Sequence, residues 1–537
     1  MALTDTRSEN AARRPSGATD TLNAMLDQTA ARRPGRVAFA TEDAQLTFAE
    51  LRGRILQAAA AFRARGVRKG DCVGIILRNS PDFVVAYFGL ARLGAIAVPI
   101  NFLVTKPEEL RFMLDDCAAV GVVTQREFLK GILAARQELP GLRWVWASDG
   151  ARPEQQVEDL REAWAGGDPS TLPESPAAED VVAILYTSGT TGTPKGVMLN
   201  HVNLVSNVDA SIKAMQIDSR EVALCILPMF HTFAWMANVL IPIRLGSKSV
   251  IAPSIAPPLP WLKLMAKHGV TMFSAVPPVY SVLARELKGL KGLVMKYWFF
   301  RRVRLCVSGA APLPADTAES FAGAMGVPIT EGYGLTETSP VATLNPPSQA
   351  RRGSVGRAIP EVRIKIVDDE ERELPIGGEG EICIHGPNVM LGYHKRPDAT
   401  REAFTRDGWF KSGDIGALDS DGYLYIRDRK KDMIIVKGLK VFSAQVEAVI
   451  SGHPEVAEVA IVGVPEETGD ELIKAFVVLR EGSAADKAAL LQFCREKLDP
   501  YKRPRDVEIV PALPKNALQK VLKRVLRQQE IDKRKKL

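Results

Sequence analysis

A run of small and hydroxylated residues at positions 186–196 has the composition of a phosphate-binding loop. The run reads YTSGTTGTPKG and follows the apolar stretch VVAIL directly. Glycines and hydroxyl side chains allow backbone N–H groups and hydroxyls to converge on one anion, and Lys195 adds a positive charge. The spacing fits neither the pattern G-x-x-x-x-G-K-[ST] nor the dinucleotide pattern G-x-G-x-x-G. We therefore predict a phosphate site of a less common kind, with a plain surface loop as the alternative.

Two further groups of residues could hold the rest of a nucleotide and a metal ion. Gly309, Ala310 and Ala311 follow the apolar stretch VRLCVS, and their small size leaves room for a flat base against the backbone. Tyr333 offers an aromatic face on which a purine could stack. Near it, Glu337 supplies a carboxylate of the kind that Mg²⁺ prefers when the ion also bridges phosphates.

A third group could bind a sugar. Asp414 lies between two glycines in the sequence SGDIG. At a strand end its carboxylate could accept hydrogen bonds from two ribose hydroxyls, and Arg429 could reach the same sugar or a phosphate. The sequence thus offers separate groups for the base, the sugar, the phosphates and magnesium.

Taken together, these blocks resemble the adenylate-forming superfamily of acyl-CoA synthetases, nonribosomal-peptide adenylation domains and beetle luciferases, closest to medium- or long-chain acyl-CoA ligases. They occur in the family's order from about residue 30 to residue 520, which is far more specific than any single block. Besides the loop at 186–196, the blocks are LPMFH at 227–231, SGAAPL at 308–313, GYGLTET at 332–338, WFKSGDIG at 409–416, DRKKDMIIVKG at 428–438 and PKNALQK at 514–520.

The resemblance implies that ATP, Mg²⁺ and coenzyme A are used, and it implies a role for each matching position. Magnesium would be held by Glu337 and Thr187. Catalytic roles would fall to Lys520, Glu337, Thr336, Lys431 and His231. The implied nucleotide-binding residues are Thr187, Ser188, Gly189, Thr190, Thr191, Gly192, Lys195, Gly309, Ala310, Ala311, Glu331, Gly332, Tyr333, Gly334, Thr336, Asp414, Arg429, Lys431, Gly438 and Lys520.

Three of these positions correspond to moving parts in family members. Lys520 would reach between the substrate carboxylate and the α-phosphate, where it offsets charge that builds in the transition state. Lys431 falls on the hinge between two domains, and Gly438 falls on a loop that lines the approach of the thiol. Leu518 and Gln519 stand where the family has Ser-Gly. Because glutamine lacks the backbone freedom of glycine, this departure puts the placement of Lys520 in doubt.

The stretch 222–243 is expected to form an apolar wall for the acyl group. It contains no Asp, Glu, Lys or Arg, and Pro228, His231, Asn238 and Pro242 interrupt it and argue against a membrane span. A free amino acid would leave its ammonium group unpaired there, so an alkyl or aryl acid fits better. The candidate substrate-binding residues are His231, Thr232, Phe233 and Trp235. The alternative for His231 is a hydrogen-bonded histidine of the core, and the alternative for Trp235 is a tryptophan of the core.

The acceptor of the acyl group is expected to be a separate molecule. The sequence has no G-G-x-S attachment motif, and only 17 residues (537 − 520) follow Lys520. Coenzyme A fits best, so we predict an ATP-dependent, AMP-forming acyl-CoA synthetase acting on an apolar carboxylic acid. The alternatives are loading of a discrete acyl-carrier protein, an aryl-CoA ligase, and a catalytically inactive nucleotide-binding sensor.

The order of elements predicts an α/β fold. Helical periodicity alternates with short apolar runs from residue 47 onward, which indicates parallel sheets covered by helices. After residue 354 short strands and turns indicate an antiparallel β module. We expect a tail at 1–20, a large AMP-binding domain at 21–430 and a small mobile α+β lid at 431–537, with a surface linker at 151–180.

Composition narrows the class of protein further. Lys and Arg number 70 against 63 for Asp and Glu, and this surplus over 537 residues is too thin to imply nucleic acid. The six cysteines form no C-x-x-C pair, and residues 1–20 hold no apolar run of signal-peptide length. We therefore expect a cytoplasmic enzyme without a membrane span, and the sequence leaves a homodimer open.

Overall fold

The computed structural model describes residues 21–104, 106–187, 194–286, 289–436, 439–465, 471–515 and 521–534. The tail predicted at 1–20 lies outside them. The α-helices are Leu22–Arg32, Phe48–Ala64, Pro81–Leu93, Pro107–Asp116, Leu129–Glu138, Leu160–Ala165, His201–Met215, Thr232–Trp235, Ile241–Leu245, Pro258–His268, Pro277–Glu286, Gly289–Val294, Ala315–Met325, Pro397–Glu402, Ser443–Ser451, Lys487–Lys497 and Lys523–Arg534.

The first large sheet has eight strands and is parallel through its centre. Beyond the parallel part, Lys195–Asn200 runs antiparallel to Val181–Thr187, and Gly392–Tyr393 continues this edge. In spatial order the strands are Gly392–Tyr393, Lys195–Asn200, Val181–Thr187, Ile96–Pro99, Cys72–Ile76, Gly121–Thr124, Trp144–Ala147 and Val157–Asp159.

The second large sheet has nine strands. Its six central strands are parallel, and short antiparallel strands extend both edges. In spatial order the strands are Arg357–Ala358, Val341–Leu344, Ile329–Gly334, Leu305–Ser308, Met272–Ala275, Val222–Cys225, Lys248–Ile251, Val37–Ala40 and Gln45–Thr47. The predicted α/β alternation with parallel pairing is confirmed by both sheets.

The helix Pro81–Leu93 shows why an apolar sequence forms a buried helix. The Ser80 hydroxyl accepts a hydrogen bond from the backbone N–H of Phe83 at its start, and Gly94 ends it at a φ of 69°. Every residue from Asp82 to Leu93 is buried, as expected for a helix that is apolar all round. Gly89 allows it to approach Ala58 closely, since a β-carbon there would lie 3.2 Å from that methyl group.

The uncharged stretch 222–243 folds as core. The strand Val222–Cys225 leads through a loop to the helix Thr232–Trp235, the π-helix Met236–Leu240 and the helix Ile241–Leu245. Asn238 donates from its amide to the Leu224 carbonyl at 3.0 Å. In the described part of the chain, no helix is both long and apolar enough to cross a membrane.

The expectation of a linker at 151–180 was wrong in part. This segment contributes the edge strand Val157–Asp159 and the helix Leu160–Ala165. Val157, Leu160 and Trp164 are buried, and these apolar anchors outweigh the loop-like composition around them.

The C-terminal part contains three smaller sheets. Four strands, Arg363–Val367, Gly380–His385, Phe410–Leu418 and Leu424–Arg429, form one sheet, and its last three strands pair antiparallel as predicted. The strands Ile434–Val436 and Leu439–Val441 form a hairpin ladder. Val456–Pro465, Glu471–Leu479 and Asp506–Ile509 form a mixed sheet that packs on the helices Ser443–Ser451 and Lys487–Lys497.

The chain divides into two compact units. The first comprises 1–352, 356–363 and 385–403, and the second comprises 353–355, 364–384 and 404–537. A large N-terminal α/β part and a smaller C-terminal part are thus confirmed. Most of the four-stranded sheet belongs to the second unit, where Asp428 on its last strand accepts hydrogen bonds from Ser443 and Ala444. A domain boundary at 430–431 stays a prediction.

Candidate active site

The ends of the predicted phosphate loop are fixed on two adjacent strands. Thr187 ends one strand and Lys195 begins the next, and the two residues lie opposite each other in the antiparallel register. Gly196 allows close packing here, since a β-carbon would lie 2.7 Å from Ile184. Ser188, Gly189, Thr190, Thr191 and Gly192 lie outside the described residues. Their phosphate-binding role therefore stays a prediction.

One tyrosine joins the predicted phosphate lysine to the predicted magnesium carboxylate. Tyr393 lies on the short strand that pairs with the strand beginning at Lys195. The Lys195 ammonium group lies 5.1 Å from the centre of the Tyr393 ring, within the range of a cation–π interaction. The Tyr393 hydroxyl donates a hydrogen bond of 2.9 Å to Oε1 of Glu337. The geometry thus connects Lys195, Tyr393 and Glu337 in one chain of contacts.

Burial keeps the Tyr393 hydroxyl protonated. It raises the pKa of Tyr393 well above its ordinary value, and the nearby negative charge of Glu337 raises this pKa further. The phenol is therefore a hydrogen-bond donor at any physiological pH. Such a bond to an ionised carboxylate is among the stronger hydrogen bonds in proteins.

The backbone around Glu337 is held by the same segment that carries Tyr393. Glu337 lies in the 3-10 turn Thr336–Thr338. The backbone N–H of Met390 donates to the Glu337 carbonyl at 2.8 Å, and the Asn388 amide donates to the Thr338 carbonyl at 2.9 Å. The position of the Glu337 carboxylate is therefore set by contacts to both its backbone and its side chain.

Sequence reasoning missed Tyr393. It lies 56 residues beyond Glu337 and 198 residues (393 − 195) beyond Lys195, so no spacing links the three. Only the glycine before Tyr393 hints at a tightly packed position, and that does not identify Tyr393 as a site residue. Gly392 has a φ of 137°, and a β-carbon there would lie 2.7 Å from Thr400, which marks a close approach of the chain.

The predicted base-binding residues follow two neighbouring parallel strands. Leu305–Ser308 precedes Gly309, Ala310 and Ala311, and Ser308 lies opposite Glu331 of the strand Ile329–Gly334. Along that strand Glu331 and Tyr333 share one face, because side chains alternate. Gly332 and Gly334 share the other face, where a β-carbon at Gly334 would collide with the Pro340 carbonyl. The glycines therefore permit the close pairing that positions Tyr333.

Glu331 is a titratable group beside these residues. Burial raises the pKa of its carboxyl to about 7, and the backbone N–H of Leu313 opposes this shift by hydrogen bonding. Near neutral pH the carboxyl is therefore present in both protonation states. It can donate as well as accept a hydrogen bond, which suits the mixed edge of a purine.

Phe233 connects the predicted acyl wall to the predicted base-binding segment. Two of its ring carbons lie 3.6 Å from the position of a β-carbon on Gly309. Thr232 next to it is buried, at 4% exposure. The Nδ1 atom of His231 accepts a hydrogen bond from the backbone N–H of Phe233 at 3.2 Å. His231 thereby caps the start of the helix Thr232–Trp235.

Trp235 packs into the core of the first unit. It is 4% exposed, and its ring centre lies 4.3 Å from that of Tyr87 and 5.5 Å from that of Phe83. Both partners lie on the buried helix Pro81–Leu93. This placement favours the alternative of a core tryptophan, and a role as a gate for the acyl chain stays a prediction.

In the second unit, Asp414 and Arg429 face each other on adjacent antiparallel strands. They are opposite in register, and Nε of Arg429 lies 3.5 Å from Oδ1 of Asp414. Asp414 is 5% exposed, whereas Arg429 is half-buried. Asp414 lies in the middle of the strand Phe410–Leu418 and not at a strand end as expected, and Gly413 before it has a φ of 73°, which glycine adopts without strain. The arrangement presents a carboxylate and a guanidinium side by side, as binding of a ribose or a phosphate requires.

Lys431 lies in a turn that follows this strand. The backbone N–H groups of Asp432 and Met433 both donate to the Arg429 carbonyl. Its neighbour Lys430 bonds Glu381 at 3.0 Å. Lys431 itself is exposed. Its hinge role stays a prediction, and Gly438 and Lys520 lie outside the described residues.

Magnesium would need more than protein side chains at Glu337. Among the described residues, no group of three or more His, Cys, Asp or Glu side chains could hold a metal ion. Mg²⁺ is commonly bound by one or two carboxylates together with substrate phosphates. The single carboxylate of Glu337, linked to Lys195 through Tyr393, fits that mode.

Comparison with known proteins identifies the enzyme family to which the chain belongs. The profile of the AMP-binding enzyme family matches residues 26–394, and that of the AMP-binding enzyme C-terminal domain matches residues 445–520. The chain is 33% identical to the long-chain-fatty-acid–CoA ligase of Bacillus subtilis (strain 168), over 95% of each chain. It is also 33% identical to 4-coumarate–CoA ligase 3 of Oryza sativa subsp. japonica, over 90% of this chain and 86% of that one.

A solved structure agrees over nearly the whole length. The crystal structure of ATP-bound MatB from Rhodopseudomonas palustris superposes with a TM-score of 0.87, at 32% identity, and covers 96% of this chain and 99% of that one. The chain therefore belongs to the adenylate-forming superfamily, and within it to the AMP-forming acyl-CoA ligases. Ligases of this kind use ATP, Mg²⁺ and coenzyme A, which confirms the predicted set.

Proposed function

We propose that this ligase activates a medium- or long-chain fatty acid as an acyl-AMP and transfers the acyl group to coenzyme A. The observation that carries the proposal is the stretch 222–243, in which no charged residue occurs. Its Phe233 ring lies against Gly309, next to the segment assigned to the base. An alkyl chain can pack on such a wall, whereas a second charge on the substrate would lack a partner there.

The first half-reaction would use the groups of the first unit. Lys195 and the loop that precedes it would bind the phosphates, and Glu337 with Thr187 would hold magnesium, which neutralises charge as pyrophosphate leaves. Gly309, Ala310 and Ala311 would border the adenine, Tyr333 would stack on it and Glu331 would hydrogen-bond with it. Gly332 and Gly334, on the other face of their strand, would contribute by allowing the close pairing that positions Tyr333. A substrate carboxylate oxygen bonds to the α-phosphorus, and the bond to pyrophosphate breaks.

The proposal assigns the ribose and the two chemical steps to residues of the second unit. Asp414 would accept from the ribose hydroxyls and Arg429 would bind the sugar or a phosphate. Lys520 would bridge the carboxylate and the α-phosphate during adenylation. A rotation about Lys431 would then move Lys520 out of the site and bring in the loop at Gly438, which lines the approach of the thiol. The thiol sulfur of coenzyme A would attack the acyl carbon, and the bond from that carbon to AMP would break.

Contacts on both sides of Lys431 hold the present arrangement of that segment. Asp428, which precedes it, accepts from the Ser443 hydroxyl at 2.8 Å. Asp369 lies 3.1 Å from Lys430 and 3.4 Å from Lys440, and so links positions before and after it. A rotation about Lys431 would therefore break these polar contacts, and their loss must be offset in the rotated state.

A substrate panel tests the acyl specificity. Pyrophosphate release should be measured with acetate, hexanoate, palmitate, benzoate and coumarate, each with and without coenzyme A. We expect the highest kcat/KM for hexanoate or palmitate, because each methylene of the acid that is buried on the wall contributes about 0.8 kcal/mol to binding. A preference for coumarate or benzoate would instead assign the wall to an aryl acid.

Two variants refine this experiment. Phe233→Leu alters the wall where it touches Gly309, and we expect it to change the ranking of the acids. Phe493→Leu is the matched control, since Phe493 is also half-buried but packs edge-on against His453 at 4.9 Å, on the helix Lys487–Lys497 of the second unit. Equal effects of the two variants on every acid would argue against a role of Phe233 in selection. Replacing coenzyme A by an acyl-carrier protein tests the alternative acceptor.

A further inference from the structure

An exposed apolar stripe lies on the helical segment 289–299, none of whose residues is assigned to the candidate active site. The segment comprises the helix Gly289–Val294 and the π-helix Met295–Phe299. Four of its large apolar side chains are strongly exposed. They are Leu293 at 53%, Val294 at 46%, Tyr297 at 67% and Trp298 at 66%. They fall in two pairs four residues apart, and such pairs lie next to each other on a helix surface.

These four side chains do not pack on the hydrophobic core. The same segment already buries Met295, which is 8% exposed, and packs Phe299 against the core of the first unit. The segment therefore has two apolar faces, one covered by the protein and one facing solvent. A contiguous exposed apolar patch with aromatic residues marks an interaction surface.

Positive charge surrounds the stripe. Positions 287–315 contain six Lys or Arg residues and no Asp or Glu. Lys291, Arg301 and Arg302 are exposed, and Lys296 lies half-buried beside the Tyr297 ring. Lys291 also lies 3.0 Å from Glu286. An apolar stripe with Tyr and Trp, flanked by cations, has the features of a helix that binds in the interface of an anionic bilayer.

We propose that the stripe of Leu293, Val294, Tyr297 and Trp298 docks the protein on anionic lipid membranes, with Lys291, Lys296, Arg301 and Arg302 facing the lipid phosphates. Six cations and no Asp or Glu at positions 287–315 complement the negative surface of an anionic bilayer, which favours lipid over a protein partner. A symmetric dimer through this face would place the cations of two copies close together, which costs energy. An anionic lipid surface would bury the apolar stripe and place lipid phosphates next to the cations. The inference does not depend on which acid the enzyme activates.

The tryptophans of this chain make a direct assay available. Of seven in the sequence, Trp298 is the strongly exposed one among the described residues, because Trp409 is half-buried and the other five are at most 6% exposed. Intrinsic fluorescence should therefore shift to shorter wavelength when Trp298 enters lipid. The full-length protein should be titrated with vesicles of phosphatidylcholine alone and with vesicles in which one quarter is phosphatidylglycerol.

We expect binding and a blue shift with the anionic vesicles and much weaker binding with the neutral ones. Trp298→Phe should keep binding while it removes the blue shift. The double variant Tyr297→Ala and Trp298→Ala should lose about tenfold or more in binding measured by co-sedimentation. Arg301→Gln with Arg302→Gln should lose about thirtyfold, at about 1 kcal/mol per cation.

Ile376→Ala serves as the control, since Ile376 is 70% exposed but lies elsewhere in the chain. Thermal unfolding of every variant shows whether the fold is kept. Absence of binding to anionic vesicles, or equal binding of the double variant and the Ile376→Ala control, would overturn the proposal. So would a dimer in solution that the double variant dissociates while vesicles leave the fluorescence unchanged.

Discussion

Replacing Tyr393 by Phe removes one atom and tests whether this residue positions the magnesium carboxylate. The hydroxyl donates a 2.9 Å hydrogen bond to Glu337, and the ring that faces Lys195 is kept in the variant. A hydrogen bond to a charged group contributes about 1.5–3 kcal/mol. Because Tyr393 and Glu337 are half-buried, we take the lower end, which corresponds to about tenfold.

The expected result is a rise of about tenfold in the Mg²⁺ concentration that half-saturates adenylation. The assay is pyrophosphate release at saturating ATP and acid with Mg²⁺ varied, together with calorimetry of ATP binding with and without Mg²⁺. Tyr393→Leu also removes the ring beside Lys195, and a cation–π contact of about 0.5–1 kcal/mol should add a further twofold to fivefold loss. That extra loss should appear in ATP binding.

Tyr425→Phe is the matched control for this prediction. Tyr425 is also half-buried, and its hydroxyl donates to Oδ2 of Asp419 at 3.2 Å instead of to Glu337. We expect its removal to leave the Mg²⁺ dependence unchanged. If Tyr393→Phe behaved like Tyr425→Phe, the bond to Glu337 would have no part in metal binding and the reasoning would be refuted.

Three further predictions concern the core, the two half-reactions and the base-binding segment. Trp235→Ala should lower the free energy of unfolding by about 3–5 kcal/mol in urea titrations. A change in the preferred length of the acyl chain without loss of stability would instead show that Trp235 acts as a gate for the acyl chain. Lys520→Ala should slow adenylation by about 10² to 10³ and leave thioester formation from pre-made acyl-AMP unchanged. Lys431→Pro should slow thioester formation and leave adenylation unchanged. Equal losses of both half-reactions in single-turnover assays would exclude a rotating lid. Burial raises the pKa of the Glu331 carboxyl to about 7, above the unfolded value of about 4.3. Its contribution to stability is therefore complete below the unfolded pKa and is lost as pH rises through 7. The melting temperature of the wild type should fall over that range relative to that of Glu331→Gln, and parallel curves of melting temperature against pH would contradict the raised pKa.

The local pattern of the chain was enough to predict the elements and the class of fold. The strand at Cys72–Ile76, the helix Pro81–Leu93 and its end at Gly94 follow from apolar periodicity and a C-terminal glycine. The parallel pairing follows from the alternation of strands and helices. At 151–180 the polar composition was misleading, because three spaced apolar residues are enough to attach a short strand and a helix.

The candidate site could be predicted only in part. The phosphate loop and the block around Glu337 are visible because their residue types are contiguous in the sequence. Tyr393 is not visible, since only the pairing of its strand with the strand of Lys195 brings it close. Likewise, the bond between Asp428 and Ser443 joins residues on both sides of the predicted hinge, and neither residue type signals it in the sequence.

The most direct test of the proposed function is a single-turnover experiment with palmitate and ATP labelled at the α-phosphate. Without coenzyme A, palmitoyl-AMP should accumulate on the enzyme with stoichiometric release of pyrophosphate. Addition of coenzyme A should convert it to palmitoyl-CoA and release labelled AMP. Formation of ADP, or an acyl-AMP that reacts with an acyl-carrier protein and not with coenzyme A, would contradict the account.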